Sequence, residues 1–315
     1  MTDLPVDAAL GLWGMQGARA DLVARRENTV FRVDSEGAQY ALRFHRPGYR
    51  SGAELTSELQ WMDHLAQNGL GVPRPLADQT GGLIRQVGAH HVSLLDWLPG
   101  TPAGTTGRFE GVRDPVGFCE DLGREIARMH DLTDAWDLPQ GFTRPDWRRA
   151  GLLGEAPLWG PFWAHPHLTG EQRALLETAR GIADAELARI EGDADQGLIH
   201  ADLVLENIMI APGGLAFLDF DDSAFGFRDF ELATVLCKMI GAPDFADRRA
   251  ALCRGYANRR SVDPGRLDLF LLLRALTYVG WIIPRLDEPG GAERSRRCIA
   301  AALDLAETYV KRRDA

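Results

Sequence analysis

The chain has 315 residues, 45% of them hydrophobic and 25% charged. That is ordinary for a soluble globular protein with one large domain or two modest ones. A net charge of −10 argues against a nucleic-acid-binding surface and reads first as solubility. Four scattered cysteines without a CxxC pair argue against a disulfide framework or a zinc site, and fit a reducing cytoplasm.

In chain order, "MTDLPVDAAL" has no basic segment leading into an apolar core, so no secretory signal is expected. "GLWGMQGARA" places glycine at 11, 14 and 17, which is not G-x-G-x-x-G, and a loop or helix packing is expected there. Residues 29–44, "TVFRVDSEGAQYALRF", hold two alternating runs around "DSEG", the pattern of a hairpin. Ser51 with Glu54 three residues on is a capping box. Leu55, Leu59, Met62 and Ala66 then mark a helix, with Gly69 suited to its end. "GGLIRQVG" and "HHVSLLDWLPG" read as two more strands, and the Gly-, Pro- and Thr-rich segment 99–115 as a connector.

Beyond it the pattern is helical at 116–131, 170–191, 228–240, 246–259, 265–284 and 292–312. "LDLFLLLRALTYVGWII" contains Arg274 and has polar flanks, so it is expected to be a core helix and not a membrane span. The one clear β interruption is "GLIHADLVLENIMIAPGGLAFLDFDD", 197–222. The expected architecture is α+β, with a small β-rich lobe, 1–98, and a larger helical lobe, 99–315.

That interruption carries the chemistry. Buried carboxylates are costly unless something pairs with them. "NIMIA" and "LAFLDF" joined by "PGG" form a tight antiparallel pair, which sets Asn207 and Asp219 side by side at one end. Both offer oxygen, the donor that magnesium takes. Asp202 precedes them on the loop after "GLIH", placed to face a substrate hydroxyl. Phosphoryl transfer needs charge neutralisation at the phosphates and a carboxylate to orient the attacking hydroxyl. The Asp-Leu pair and the five-residue step from Asp202 to Asn207 match the protein-kinase form of that layout.

"HADLVLEN", "FLDFDD" and "FRDFELA" resemble the aminoglycoside phosphotransferase and choline kinase-like family, relatives of the protein kinases. Within it, "LRFHRPGYRS" and the Trp- and Pro-rich middle look most similar to bacterial homoserine kinase type II-like and stress-response Ser/Thr kinase-like members. The resemblance implies a two-lobed protein-kinase-like fold, ATP and Mg2+ as cofactors, and transfer of a γ-phosphate to the hydroxyl of a small molecule. An amino alcohol or a homoserine-like acceptor is favoured over an aminoglycoside, with no nucleic acid or membrane partner. It makes Asp202 the catalytic base or hydroxyl-orienting carboxylate, and Asn207 and Asp219 the metal ligands. Glu231 replaces a structural Asp, and His200 reads as a brace of the loop, the alternative being a proton shuttle. Asp221 and Asp222 stand between a site role and a turn or cap role.

The family usually has a lysine where Arg43 stands, but the only lysines are Lys238 and Lys311. Either Arg43 grips phosphate instead, with Glu58 on the inward helix face as its partner, or the role is vacant. Asn28 marks the tip of a phosphate-covering turn in "RRENTVFRV", and backbone groups near Asp96 and Leu98 would meet adenine. Trp136, Trp147, Trp159 and Trp163, with Tyr278 and Trp281, form either an aromatic cage for an ammonium group or plain packing. Two rivals stay open: a serine/threonine protein kinase, and a nucleotide-binding pseudokinase scaffold suggested by the missing lysine.

Overall fold

The computed structural model describes residues 4–25 and 27–314. It divides into two compact units. One comprises Met1–Ala103, Asp131–Arg144 and Asn207–Asp221; the other comprises Gly104–His130, Pro145–Glu206 and Asp222–Ala315.

The first unit is built on a six-stranded sheet. Thr29–Ser35 and Ala38–Phe44 pair antiparallel, with Ser35 opposite Ala38. Glu36 and Gly37 between them both have positive φ, 52° and 79°, as a two-residue hairpin turn matched to the strand twist requires. His90–Asp96 pairs with Ala38–Phe44 and carries Pro75–Leu76 and Arg85–Val87 on its other side. Val33, Leu42, Phe44, Val92 and Leu94 alternate inward and close on Ala9 and Leu10.

Two elements differ from the sequence reading. Val6–Gly11 is a helix, and Arg19–Arg25 is a strand paired with Thr29–Ser35. That strand is an edge, Leu22 and Val23 are exposed, and its register shifts between Leu22 and Ala24. Such an irregularity breaks the two-residue alternation by which a strand is read.

Helix Gly52–Gln67 starts at Ser51, whose hydroxyl accepts from the Glu54 N–H while the Glu54 carboxylate accepts from the Ser51 N–H. Its buried face holds Leu55, Glu58, Leu59, Trp61, Met62 and Leu65. In the same unit, Ile208–Ala211 and Gly214–Phe217 form the ribbon, with Ile208 opposite Phe217. The connector also differs from expectation, because Thr101–Pro102 adds a third strand to the ribbon. Gly100 makes this possible: a Cβ there would stand 2.5 Å from the Ile210 carbonyl oxygen.

The second unit is mainly helical: Gly170–Ile190, Arg228–Cys237, Phe245–Ala257, Leu267–Trp281, Gly291–Asp314 and most of Pro115–Asp134. Leu267–Trp281 is buried along nearly its whole length and packs on Arg228–Cys237 and Gly291–Asp314. No helix among the described residues is long and apolar enough to cross a membrane. A further sheet was not foreseen: Ala224–Phe227 lies between Gln196–Ile199, antiparallel, and Asp146–Trp147, parallel. Ala224–Phe227 is a short apolar run leading straight into a helix, and periodicity alone cannot separate the two.

Candidate active site

In the second unit, strand Gln196–Ile199 delivers the loop that begins at His200. Glu231, fully buried on helix Arg228–Cys237, accepts the backbone N–H of His200 and that of Ala201, the latter at 3.0 Å. Ala201 takes φ of 65°, a conformation uncommon outside glycine, and turns the chain so that Asp202 follows. The Asp202 N–H donates to His200 Nδ1 at 3.3 Å, which makes His200 a brace of the loop. Burial pushes the Glu231 carboxyl up to about 7, and the two N–H donors with Arg228 and Arg274 offset only part of that.

Asp202 Oδ1 accepts from Arg274 Nη2 at 2.8 Å. The same nitrogen reaches the Tyr278 hydroxyl at 2.9 Å. Arg274 has no exposed surface, and its Nε and Nη1 have no hydrogen-bond partner. Its guanidinium carbon lies 4.6 Å from the Trp159 ring centre and 4.4 Å from that of Tyr278. The rings therefore take the place of some hydrogen bonds. Arg274 was missed as a site residue. Its signal was a charge inside an apolar helix, since a buried charge needs a partner.

In the first unit, Arg43 on strand Ala38–Phe44 donates through Nη1 to Glu58 Oε1 at 2.6 Å, and Glu58 is fully buried. Arg43 Nη2 is buried without a hydrogen-bond partner, 3.6 Å from Asp219 Oδ1 and 3.6 Å from Asp221 Oδ1. Burial works against the Arg43 charge, but Glu58, then Asp221 and Asp219, outweigh it and hold its pKa above the ordinary value.

Arg144 was not anticipated. It sits 3.8 Å from Glu58 Oε2 and donates to the carbonyls of Glu54, Phe220 and Asp221, at 2.9, 3.2 and 2.6 Å. No sequence pattern marks it, because it lies in an irregular segment. Asp221 is buried, with its carboxylate toward Arg43 and its carbonyl on Arg144, so it does more than close a turn.

Asn207 and Asp219 stand at the ribbon's end, where the Leu218 N–H donates to the Asn207 carbonyl at 2.8 Å. Asp219 takes φ of 62°, which Asp tolerates better than most residues, and its side chain is 53% exposed. Asn28 lies in the bend before Thr29–Ser35, its Oδ1 accepting from the Arg46 N–H at 3.0 Å; Arg26 in that turn lies outside the described residues. Asp96 ends strand His90–Asp96, three residues along from the partner of Arg43. Its N–H donates to the Arg74 carbonyl at 2.8 Å, and the Trp97 N–H to that of Gln39 at 3.1 Å. Thus Arg43, Glu58 and Asp219 come together with Asp221 and Arg144. Asn28, Asp96 and Leu98 belong to other parts of the same unit.

The donor sets fit a metal–nucleotide pair. Arg43 Nη2 is an unsatisfied buried N–H beside carboxylates, the kind of group that a phosphate oxygen satisfies. Asn207 and Asp219 are hard oxygen donors. Among the described residues no group of three or more His, Cys, Asp or Glu could hold a metal alone. Magnesium, which keeps several waters and shares substrate phosphates, asks for only one or two protein ligands.

Residues 21–270 match the profile of a family described as a phosphotransferase enzyme family. The chain is 30% identical over 272 residues to the homoserine kinase of Brucella abortus (strain S19), spanning 82% of this chain and 76% of that protein. It is similar to the solved structure of a microcompartment-associated aminopropanol kinase, with a TM-score of 0.83, 26% identity and 97% of each chain covered. An amicoumacin kinase solved with AMP-PNP, Ca2+ and Ami shares the fold, with a TM-score of 0.76, 20% identity and coverage of 95% of this chain and 92% of that one.

Proposed function

The chain belongs to the phosphotransferase enzyme family, and from that premise we propose that it moves the γ-phosphate of ATP to a small amino alcohol or homoserine-like acceptor with the help of magnesium. It is a phosphotransferase with an alcohol group of a small molecule as acceptor, on the family match and its kinase relatives. The observation that carries the residue assignment is the construction around Asp202. One carboxylate oxygen is held by a buried arginine, on a loop whose backbone is clamped by a buried glutamate.

Asp202 orients the acceptor hydroxyl and takes its proton as that oxygen bonds to the transferred phosphorus. The bond from phosphorus to the bridging oxygen breaks, and its electron pair leaves with ADP. A positioned base of this kind contributes on the order of 10²–10⁴ in rate. Arg43, fixed by Glu58, grips phosphate through the nitrogen it leaves unsatisfied. Asn207 and Asp219 would hold magnesium, which supplies charge neutralisation at the phosphates. Asp96 and Leu98 offer backbone groups to adenine, and the turn at Asn28 covers the phosphates. An arginine with this pairing supports retained phosphate binding and weighs against the scaffold reading. The cytoplasm, reducing and rich in ATP, is the compartment we assign.

Magnesium-dependent ATP consumption with L-homoserine and with 3-amino-1-propanol tests this. Asp202→Asn, which keeps an oxygen for Arg274, is expected to lower kcat at least 100-fold. A wild type that is silent with every small alcohol, or a variant equal to wild type, would overturn it.

A further inference from the structure

Four of the aromatic groups that could make an ammonium cage, Trp159, Trp163, Tyr278 and Trp281, already carry the chain's own cations. The Arg180 guanidinium lies 3.8 Å from the Trp163 ring centre and the Arg285 guanidinium 4.4 Å from that of Trp281. Arg274 covers Trp159 and one side of Tyr278, and Lys238 Nζ lies 3.8 Å from the Tyr278 ring centre. Trp147 is buried and stacked on Phe230, and Trp136 belongs to the other unit, stacked on His64. A ligand ammonium at Trp159, Trp163, Tyr278 or Trp281 would compete with one of these cations.

Lys238 is the unusual member. It is exposed, and among the described residues no carboxylate pairs with it. Many of the arginines, by contrast, are paired with acids. It is also one of two lysines in the chain.

Its place is fixed twice. Its ammonium stands over the ring of Tyr278, whose hydroxyl bonds Arg274, which in turn bonds Asp202. Its backbone is closely approached by the hairpin in which Gly104–Thr105 pairs with Arg108–Phe109: a Cβ at Gly107 would stand 2.0 Å from the Lys238 carbonyl oxygen, and the preceding Thr106 N–H donates to Glu206 Oε1 at 2.6 Å. The lysine is thereby tied to both ends of the segment from Asp202 to Glu206. A cation at a helix end also suits the helix dipole, but that calls for neither the ring nor the hairpin.

We propose that Lys238 is a specificity residue that receives a carboxylate of the acceptor whose hydroxyl Asp202 orients. The acceptor class is then a hydroxy acid or hydroxy amino acid, not a simple amino alcohol. The assignment rests on the phosphotransferase role proposed for Asp202.

L-Homoserine and 3-amino-1-propanol differ only by the carboxylate, so they form a matched pair. In wild type, kcat/KM should favour homoserine. In Lys238→Met the ratio of the two kcat/KM values should fall 10- to 100-fold, through the KM for homoserine, and Lys238→Arg should restore part of it. Equal losses for both acceptors, or a wild-type preference for the amine without the carboxylate, would overturn the assignment while leaving the phosphotransferase intact. Binding of the two compounds, followed by tryptophan fluorescence, separates the other case. If homoserine binds more tightly and loses that advantage in Lys238→Met without any turnover, the carboxylate contact stands and the proposed reaction falls. If neither compound binds or turns over in wild type, both fall.

Discussion

Glu58 is the residue whose removal should reveal most about the first unit. It is fully buried, bonded to Arg43 at 2.6 Å and flanked by Arg144 at 3.8 Å. Glu58→Ala would leave two buried guanidinium groups facing the lost anion. Breaking a buried pair from one side costs about 3–5 kcal/mol. Two features pull toward the lower end: Asp219 and Asp221 remain 3.6 Å from Arg43, and Arg144 keeps three carbonyl acceptors. The cavity left by the side chain adds to the loss. We therefore expect a loss of about 3–4 kcal/mol. Glu58→Gln, which keeps the shape and one oxygen, should lose about half of that. Urea unfolding read by tryptophan fluorescence measures both, with Trp61 buried on the same helix as a reporter. The KM for ATP should rise in Glu58→Gln, because Arg43 is no longer aimed. A loss below about 1 kcal/mol for Glu58→Ala would refute the reasoning, since it would mean that Asp219, Asp221 and the carbonyls already satisfy both arginines.

Asp219→Asn keeps a side chain that tolerates the positive φ of 62° but removes the charge. The fold should survive by circular dichroism while the magnesium concentration for half-maximal activity rises at least tenfold. Stability should fall as pH rises from about 4.5 to about 7. Glu231 and Asp229, pushed up by burial to about 7 and about 6, hold protons in the folded state that the unfolded chain has released. The slope reaches at most about 1.4 kcal/mol per pH unit for each acid, and a pH series of urea unfolding should show it flatten in Glu231→Gln. Gly280→Ala would put a Cβ 2.4 Å from the Gly160 carbonyl oxygen and 2.6 Å from that of Trp159. It should cost about 1–3 kcal/mol and raise the KM of the acceptor, because Trp159 is displaced from Arg274.

Much of this fold is written locally. The capping box at Ser51, the 3.6-residue stripes of the long helices and the alternating runs of 29–44 each encode an element through which residues of that same element face inward. The ribbon is the strongest case: once "PGG" turns the chain, the strand lengths alone bring the backbone of Asn207 beside Leu218 and so next to Asp219. The edge strand Arg19–Arg25 escaped because it buries little and carries a bulge. Ala224–Phe227 escaped because a four-residue strand, three of whose residues are buried, has no period of its own.

Partnership between elements was decided only in three dimensions. Arg274 meets Asp202 across 72 residues, and Arg144 meets the Asp221 carbonyl across 77. A sequence shows that a charge lies in an apolar stretch and therefore needs a counter-charge, but not which of 45 acids supplies it. That choice follows from how helix faces pack, which also made Trp159, Trp163 and Trp281 seats for the chain's own arginines.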